Sequence, residues 1–363
     1  MPQTVRAAVL SEQGQTMKVE TITVKDPGPG EVRVKMAAAG VCHSDLSLST
    51  GKLAAKTPVV LGHEGAGVVE SVGEGVTEVV VGDLVLLNWA PACRNCWFCD
   101  NGEPQHCSAA AAVGGTTFAT REDGTEVYAG LGTATFSEMS VLPETSLVKL
   151  PAGTDLGSAA VIGCAMMTGI GAVRHTADVK KGQSVAVIGL GGVGLSAIQG
   201  AKLVGANPII AIDTSPAKEE LARSMGATDF LLSGDTTSKD VRKLTEGRGV
   251  DHAFEVVGTA PTIRQAYSIS RRGGNVTVVG VGAKTDEVTF NALELFFFGR
   301  TIRGSVFGGS DPKVDAPELL ERTAAGDIDP LALITDEITL DDVPAAFERM
   351  RKGVGGRSLI RFS

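Results

Sequence analysis

The stretch Gln183-Ser184-Val185-Ala186-Val187-Ile188-Gly189-Leu190-Gly191-Gly192-Val193-Gly194 constrains the fold of this chain more than any other. Its apolar first half reads as a parallel strand covered on both faces, and residues 193–204 read as the helix that follows. Glycines between such a strand and helix permit a tight turn, and they let backbone N–H groups and a helix N-terminus approach a pyrophosphate. Glycine clusters are common in turns, so the flanking strand and helix give this one its weight. Gly189, Gly191, Gly192, Val193 and Gly194 are therefore candidate cofactor-binding residues. The next strand, 209–212, ends on Asp213, close to the interval of about 20 residues expected for a ribose-binding acid. A carboxylate there accepts from both ribose hydroxyls and repels a 2′-phosphate, which favours NAD over NADP. The plainer reading of Asp213 is a helix or turn cap.

Strands and helices keep alternating around this motif. A helix is predicted over 216–225, and buried strands over 230–232, 251–257 and 275–281. That rhythm is a doubly wound α/β domain. The first third is different: short apolar and β-branched runs at 5–10, 17–24, 31–38, 65–72 and 83–88 are separated by strong turn chemistry, such as Asp26-Pro27-Gly28-Pro29-Gly30. Many short strands with such turns suggest a barrel-like β domain. Residues 158–173 read as a helix of small residues, and the tail mixes helices (316–325, 343–352) with a strand at 357–362. The tail is assigned to the first domain, giving 1–165, 166–306 and 307–363 as β domain, Rossmann domain and β domain completion.

A chain of 363 residues is long enough for these two domains. Its net charge of -9, with no Lys/Arg stripe to offset it, argues against a nucleic-acid partner. The start lacks the long apolar core of a signal peptide. Apolar runs such as Leu295-Phe296-Phe297-Phe298 fall well short of the roughly 18 residues of a membrane span. No membrane partner is expected, and a cytoplasmic location follows by default.

Six cysteines without a secretory signal read as metal ligands or thiols before disulfides. Four of them form Cys93-x2-Cys96-x2-Cys99-x7-Cys107. Pairs two residues apart let one turn present two sulfurs to one ion, and four thiolates match a closed tetrahedral zinc site. The bacterial iron–sulfur run places its fourth cysteine after three residues and before proline, which this loop does not. Free buried thiols are the remaining alternative. With every sulfur committed, such a site serves stability and not reaction. The other two cysteines lie in Cys42-His43-Ser44-Asp45 and in Gly163-Cys164-Ala165, with a further polar knot at Gly62-His63-Glu64. Cys42, His63 and Cys164 would supply the three ligands of a catalytic zinc with one open position. Cys164 by itself reads equally as a small buried core residue.

On these residues the chain resembles the medium-chain dehydrogenase superfamily, specifically its zinc-containing alcohol dehydrogenases. Gly62-His63-Glu64-x2-Gly67-x5-Gly73-x2-Val76 matches that family's zinc signature, and the four-cysteine loop, glycine turn and Asp213 follow in its order. The resemblance spans nearly the whole chain. It implies a GroES-like catalytic domain beside a Rossmann domain, a cleft between them, two zinc ions, and reversible oxidation of an alcohol to an aldehyde or ketone with hydride passing to NAD. It makes Cys42, His63 and Cys164 the catalytic zinc ligands and Glu64 the acid behind the metal. Asp45 is the partner that orients His63, and Ser44 the hydroxyl that takes the alcohol proton. His43, Thr168, Lys218 and Arg357 become cofactor contacts. Two departures stand out. Many relatives carry a histidine three residues beyond the relay hydroxyl, where this chain has Ser47. The segment between Cys107 and Phe136 is shorter than in the vertebrate enzymes, so substrate does not carry over from them.

Trp89, Met166 and Val306 are candidates for the substrate wall, with ordinary core packing as the plainer reading of each. An apolar wall suits medium-chain or aromatic primary alcohols. Leu87-Asn88-Trp89 is similar to the formaldehyde-oxidising branch, which acts on hydroxymethyl adducts of mycothiol or glutathione. A non-enzymatic dinucleotide sensor is the third reading. A homodimer or homotetramer is expected through 295–306.

Overall fold

The structure, a computed structural model, describes residues 1–110 and 115–362. It consists of two compact units, Met1–Cys164 with Asp311–Ser363, and Ala165–Ser310. In the first unit the strands are β1 (Gln3–Leu10), β2 (Lys18–Val24), β3 (Glu31–Val41), β4 (Val59–Val60), β5 (Glu64–Val72), β6 (Leu84–Leu87), β7 (Thr117–Thr120), β8 (Glu126–Ala129), β9 (Met139–Pro143) and β10 (Leu147–Lys149). Strands β1, β2, β7, β8 and β4 close into a barrel around Val9, Leu10, Ile22, Phe118 and Phe136. Strands β10, β6, β5 and β3 form a second sheet, and the apolar face of β3 and β5 packs Val32, Val34, Met36 and Val69 together. Two short helices are set between these strands, α1 (His43–Thr50) and α2 (Trp97–Asp100).

The chain then runs through α3 (Leu156–Val161), a π turn at Ile162–Met166, α4 (Met167–Gly171) and a second π turn at Ala172–Thr176. By length and composition the whole stretch Leu156–Thr176 could cross a membrane, but it is almost wholly buried in the protein. Glycine, serine and threonine scattered along it break up its apolar runs.

The second unit is a parallel sheet, in the order β13 (Asp229–Leu232), β12 (Ile209–Asp213), β11 (Val185–Ile188), β14 (Val250–Glu255), β15 (Ser270–Val278), β16 (Thr301–Gly304). Its helices are α5 (Gly192–Leu203), α6 (Glu219–Met225), α7 (Thr237–Leu244), α8 (Ala260–Ile269) and α9 (Ala292–Phe298). Every residue of β11 and the first four of β12 are buried, as strands covered on both faces must be. This is the doubly wound arrangement, with the strand order reversing between β11 and β14. The chain returns to the first unit as α10 (Pro312–Ala324), β17 (Ile334–Ile338), α11 (Val343–Arg351) and β18 (Arg357–Arg361). There β18 pairs antiparallel with β3, setting Ser358 opposite Val41.

Candidate active site

Cys42 follows directly on β3 and caps the N-terminus of α1. Asp45, in the first turn of that helix, is fully buried. Its Oδ2 accepts from the Cys42 N–H at 3.1 Å, while Oδ1 accepts from the Gly62 N–H at 3.0 Å and faces His63 Nδ1 at 3.0 Å. One carboxylate thus fixes the start of α1, the turn before β5 and the His63 ring. Gly62 itself sits at φ +91°, and a Cβ there would come within 2.4 Å of Thr135 Oγ1, so no other residue fits the turn. With Nδ1 held by Asp45, Nε2 of His63 is the nitrogen left to bind a metal.

Cys164 is carried by the π turn Ile162–Met166, and its Sγ lies 3.4 Å from His63 Nε2. A nitrogen and a sulfur on one tetrahedral zinc are about 3.6 Å apart. Cys42, His63, Glu64 and Cys164 each bring one ligand atom into a group within 4.8 Å, and all four are buried. Their protons show a cluster short of positive charge. The Cys164 thiol, hydrogen-bonded to Cys42, pulls Cys42 well below the usual thiol range, and Cys164 is pushed well up by that bond and by burial. Burial opposes a charge on His63, yet the Asp45 and Cys42 charges hold it well above its usual value. A dication between these groups answers that shortage, and the donor set is one that suits zinc.

Glu64 opens β5 behind this cluster, and burial pushes its carboxyl up to about 8 against the pull of Arg357. Its Oε1 is 3.2 Å from Arg357 Nη2, and neither oxygen has an aligned hydrogen-bond partner among the described residues. Arg357, buried on β18, donates from Nη1 to the Val41 carbonyl at 2.8 Å. The family resemblance makes Arg357 a cofactor contact and implies no link to Glu64; the pairing of β18 with β3 creates that link. Ser44 is half-buried and His43 exposed in the first turn of α1, and the Ser47 that replaces a histidine is buried. Trp89 stands edge-on to His63, with ring centroids 6.3 Å apart.

The four-cysteine loop is also drawn together. Cys96 Sγ lies 3.6 Å from Cys99 Sγ and 3.9 Å from Cys107 Sγ. Two sulfurs on one tetrahedral zinc are about 3.8 Å apart, whereas a disulfide needs about 2.05 Å. The backbone N–H groups of Cys99 and Ser108 hold the Cys96 thiol down at about 6. Burial pushes Cys99 up to about 11. Sulfurs this close do not all ionise without a cation among them.

In the second unit, the glycine turn joins β11 to α5. Gly189 has φ +95°, and a Cβ on Gly194 would lie 1.9 Å from the Gly189 carbonyl oxygen, so both must be glycine. A Cβ on Gly191 meets nothing within 4 Å, leaving the outer face of the turn open to a pyrophosphate. Gly192 and Val193 begin α5. Asp213 ends β12 with Oδ2 accepting from the Leu190 N–H at 2.8 Å and Oδ1 from the Ser215 N–H at 2.9 Å, which ties the acid to the turn. Lys218 is buried nearby; burial holds its ammonium below the usual lysine range while Asp213 pulls it back up. Thr168 is half-buried in α4, and Val306 is exposed. Met166 is fully buried, with the Ser196 hydroxyl 3.3 Å from its sulfur, a core position in this unit.

Comparison with known proteins finds a matching family for both parts of the chain. The pattern of the alcohol dehydrogenase GroES-like domain matches residues 28–152, and that of the zinc-binding dehydrogenase domain matches residues 192–325. An S-(hydroxymethyl)glutathione dehydrogenase of Synechocystis sp. is 40% identical over 98% of this chain and 99% of its own length. The crystal structure of an alcohol dehydrogenase zinc-binding domain protein from Burkholderia ambifaria superposes with a TM-score of 0.94 at 30% identity, covering 100% of both chains. Benzyl alcohol dehydrogenase from Acinetobacter calcoaceticus gives 0.91 at 30% identity, over 99% of this chain and 100% of that one. The chain therefore belongs to the zinc-containing medium-chain alcohol dehydrogenase family, as an NAD-dependent oxidoreductase with two zinc ions.

Proposed function

We propose that this protein oxidises a small, largely apolar primary alcohol to its aldehyde, reversibly, and passes the hydride to NAD. The observation that carries the reading is the buried cluster of Cys42, His63 and Cys164, three ligands of the catalytic kind with Asp45 fixing the histidine. Zinc held there supplies Lewis acidity, and NAD supplies the hydride acceptor. Ser44, two residues past Cys42, takes the hydroxyl proton and delivers it to water or the cofactor ribose, since Ser47 carries no base. The glycine turn holds the pyrophosphate, Asp213 holds the adenosine ribose, and Lys218, Thr168 and His43 are further cofactor contacts. Trp89, edge-on to His63, forms an aromatic wall for the substrate. The four-cysteine loop holds the second zinc for stability.

A hydroxymethyl thiol adduct is the second reading, favoured by the 40% identity to S-(hydroxymethyl)glutathione dehydrogenases. The protein is proposed to work in the cytoplasm as a homo-oligomer, with exposed Leu293, Phe296 and Phe297 of α9 in the contact. The test is an alcohol panel including benzyl alcohol, and formaldehyde with and without glutathione or mycothiol, followed at the NADH band. Turnover of the alcohols without a thiol supports the first reading. Activity confined to formaldehyde plus thiol replaces it with the second.

A further inference from the structure

Glu255 ends β14, and its side chain is fully buried. Its Oε1 accepts three hydrogen bonds: from the Val257 N–H at 2.9 Å, the Gly258 N–H at 2.8 Å and the Thr262 hydroxyl at 2.7 Å. The other oxygen has no partner among the described residues. Burying a carboxylate is costly, so its donors identify what the fold gains from it. Here every donor belongs to the turn after β14 or to the first turn of α8. The backbone carbonyl of the same residue accepts from the Val279 and Gly280 N–H groups at 2.8 and 3.0 Å, so the turn after β15 is fastened to the same point.

These turns are packed backbone on backbone. A Cβ on Gly280 would lie 2.1 Å from the Gly258 nitrogen. Val257, 44% exposed, reaches over the glycine turn, where a Cβ on Gly189 would come within 2.6 Å of Val257 Cγ2. The sheet order reverses between β11 and β14, and doubly wound sheets take their ligands outside the carboxyl ends of the strands at that point. With the adenosine ribose on Asp213 of β12 and the pyrophosphate on the glycine turn, the remaining half of the dinucleotide extends over β14 and β15.

We propose that Glu255 is a positioning residue for the nicotinamide half of the cofactor: through Val257, Gly258 and Thr262 it sets the height and rigidity of the floor on which that half lies. The inference rests on the NAD reading above. Three variants test it. Glu255→Gln keeps the shape and one acceptor oxygen, Glu255→Ala frees all three donors, and Thr262→Val removes one donor from the far side. Each is measured for NADH affinity by nucleotide fluorescence, and for AMP affinity, which samples the adenine half alone. Glu255→Ala is expected to weaken NADH binding about tenfold and Thr262→Val about threefold, with Glu255→Gln between them. AMP binding should stay unchanged throughout. NADH affinity unchanged in Glu255→Ala, or NADH and AMP weakened in parallel, overturns the inference. If Glu255→Ala does not fold, the same two outcomes in Thr262→Val decide. Wild-type protein that binds no NADH overturns the NAD reading, and this inference with it.

Discussion

Between Cys93 and Cys107 the chain wraps its four sulfurs in one continuous loop, and only Cys107 is buried. Cys42, His63 and Cys164 instead come from the end of β3, the turn before β5 and a π turn far along the chain, and all are buried. The loop has little core of its own, since Trp97 is 66% exposed, so the metal must hold it together. In the second site the fold holds the ligands: Asp45 and Gly62 place His63, and the buried sheet places Cys42. Only a site whose ligands are positioned by the protein can leave a coordination corner to a substrate. The comparison teaches that one ion substitutes for a core while the other is served by one.

Removing a ligand from each site should therefore do opposite things. His63→Ala is expected to lower turnover by at least about 1,000-fold, with zinc falling from two ions to one and the melting temperature nearly unchanged. Metal analysis beside activity and thermal melts reads all three. A collapse of the fold in His63→Ala would show that the second ion is structural too. Cys99→Ser should invert the pattern, costing more than about 4 kcal/mol of stability through loss of the loop zinc. The fraction that stays folded should keep near-normal specific activity.

The same contrast decides what the sequence alone makes legible. The four-cysteine loop can be read from spacing because its ligands are neighbours. Cys42, Ser44 and Asp45 share one turn and stand out as a polar knot, but the separate roles of Ser44 and Asp45 come from the family resemblance. Cys164 reads equally as a ligand or a core residue until the family resemblance favours the ligand, since the fold alone brings it to His63. Arg357 shows the limit more sharply: its ion pair with Glu64 depends on β18 pairing with β3, and no local pattern reports that pairing. Strands β11 and β12 of the parallel sheet announce themselves as apolar runs, whereas β7 to β10 are three to five residues long and too short for a period to show. Met166 looked like pocket wall because it adjoins a ligand, but its side chain faces Ser196 in the core. Glu255 had a signal that went unused, a lone carboxylate closing an apolar strand.

A subtler break is Asp45→Asn. Asparagine keeps the shape but loses the charge that His63 Nδ1 donates to, so the loss should fall on zinc affinity or turnover, about 10- to 100-fold. Zinc retention during dialysis against a chelator, followed for both sites, checks it. The catalytic ion should leave first and the loop ion should stay, because the hydrogen bonds of Asp45 go to Cys42, Gly62 and His63.

The smallest effect is expected at Arg94, the only Lys or Arg between Cys93 and Cys107. If that guanidinium balanced the thiolates, removing it would release the loop zinc. Its charge is engaged elsewhere, however: Nη2 lies 2.6 Å from Asp311 Oδ1 and Nη1 pairs with Oδ2, in a partly exposed bidentate bridge. Exposed pairs of this kind contribute about 1 kcal/mol or less. Arg94→Ala should therefore keep both zinc ions and lower stability by no more than about 1 kcal/mol, read from denaturant melts with metal analysis. Loss of zinc from this variant would mean that the loop relies on a protein charge as well as its ion. The division between a site held by its metal and a site held by its fold would then be one of degree.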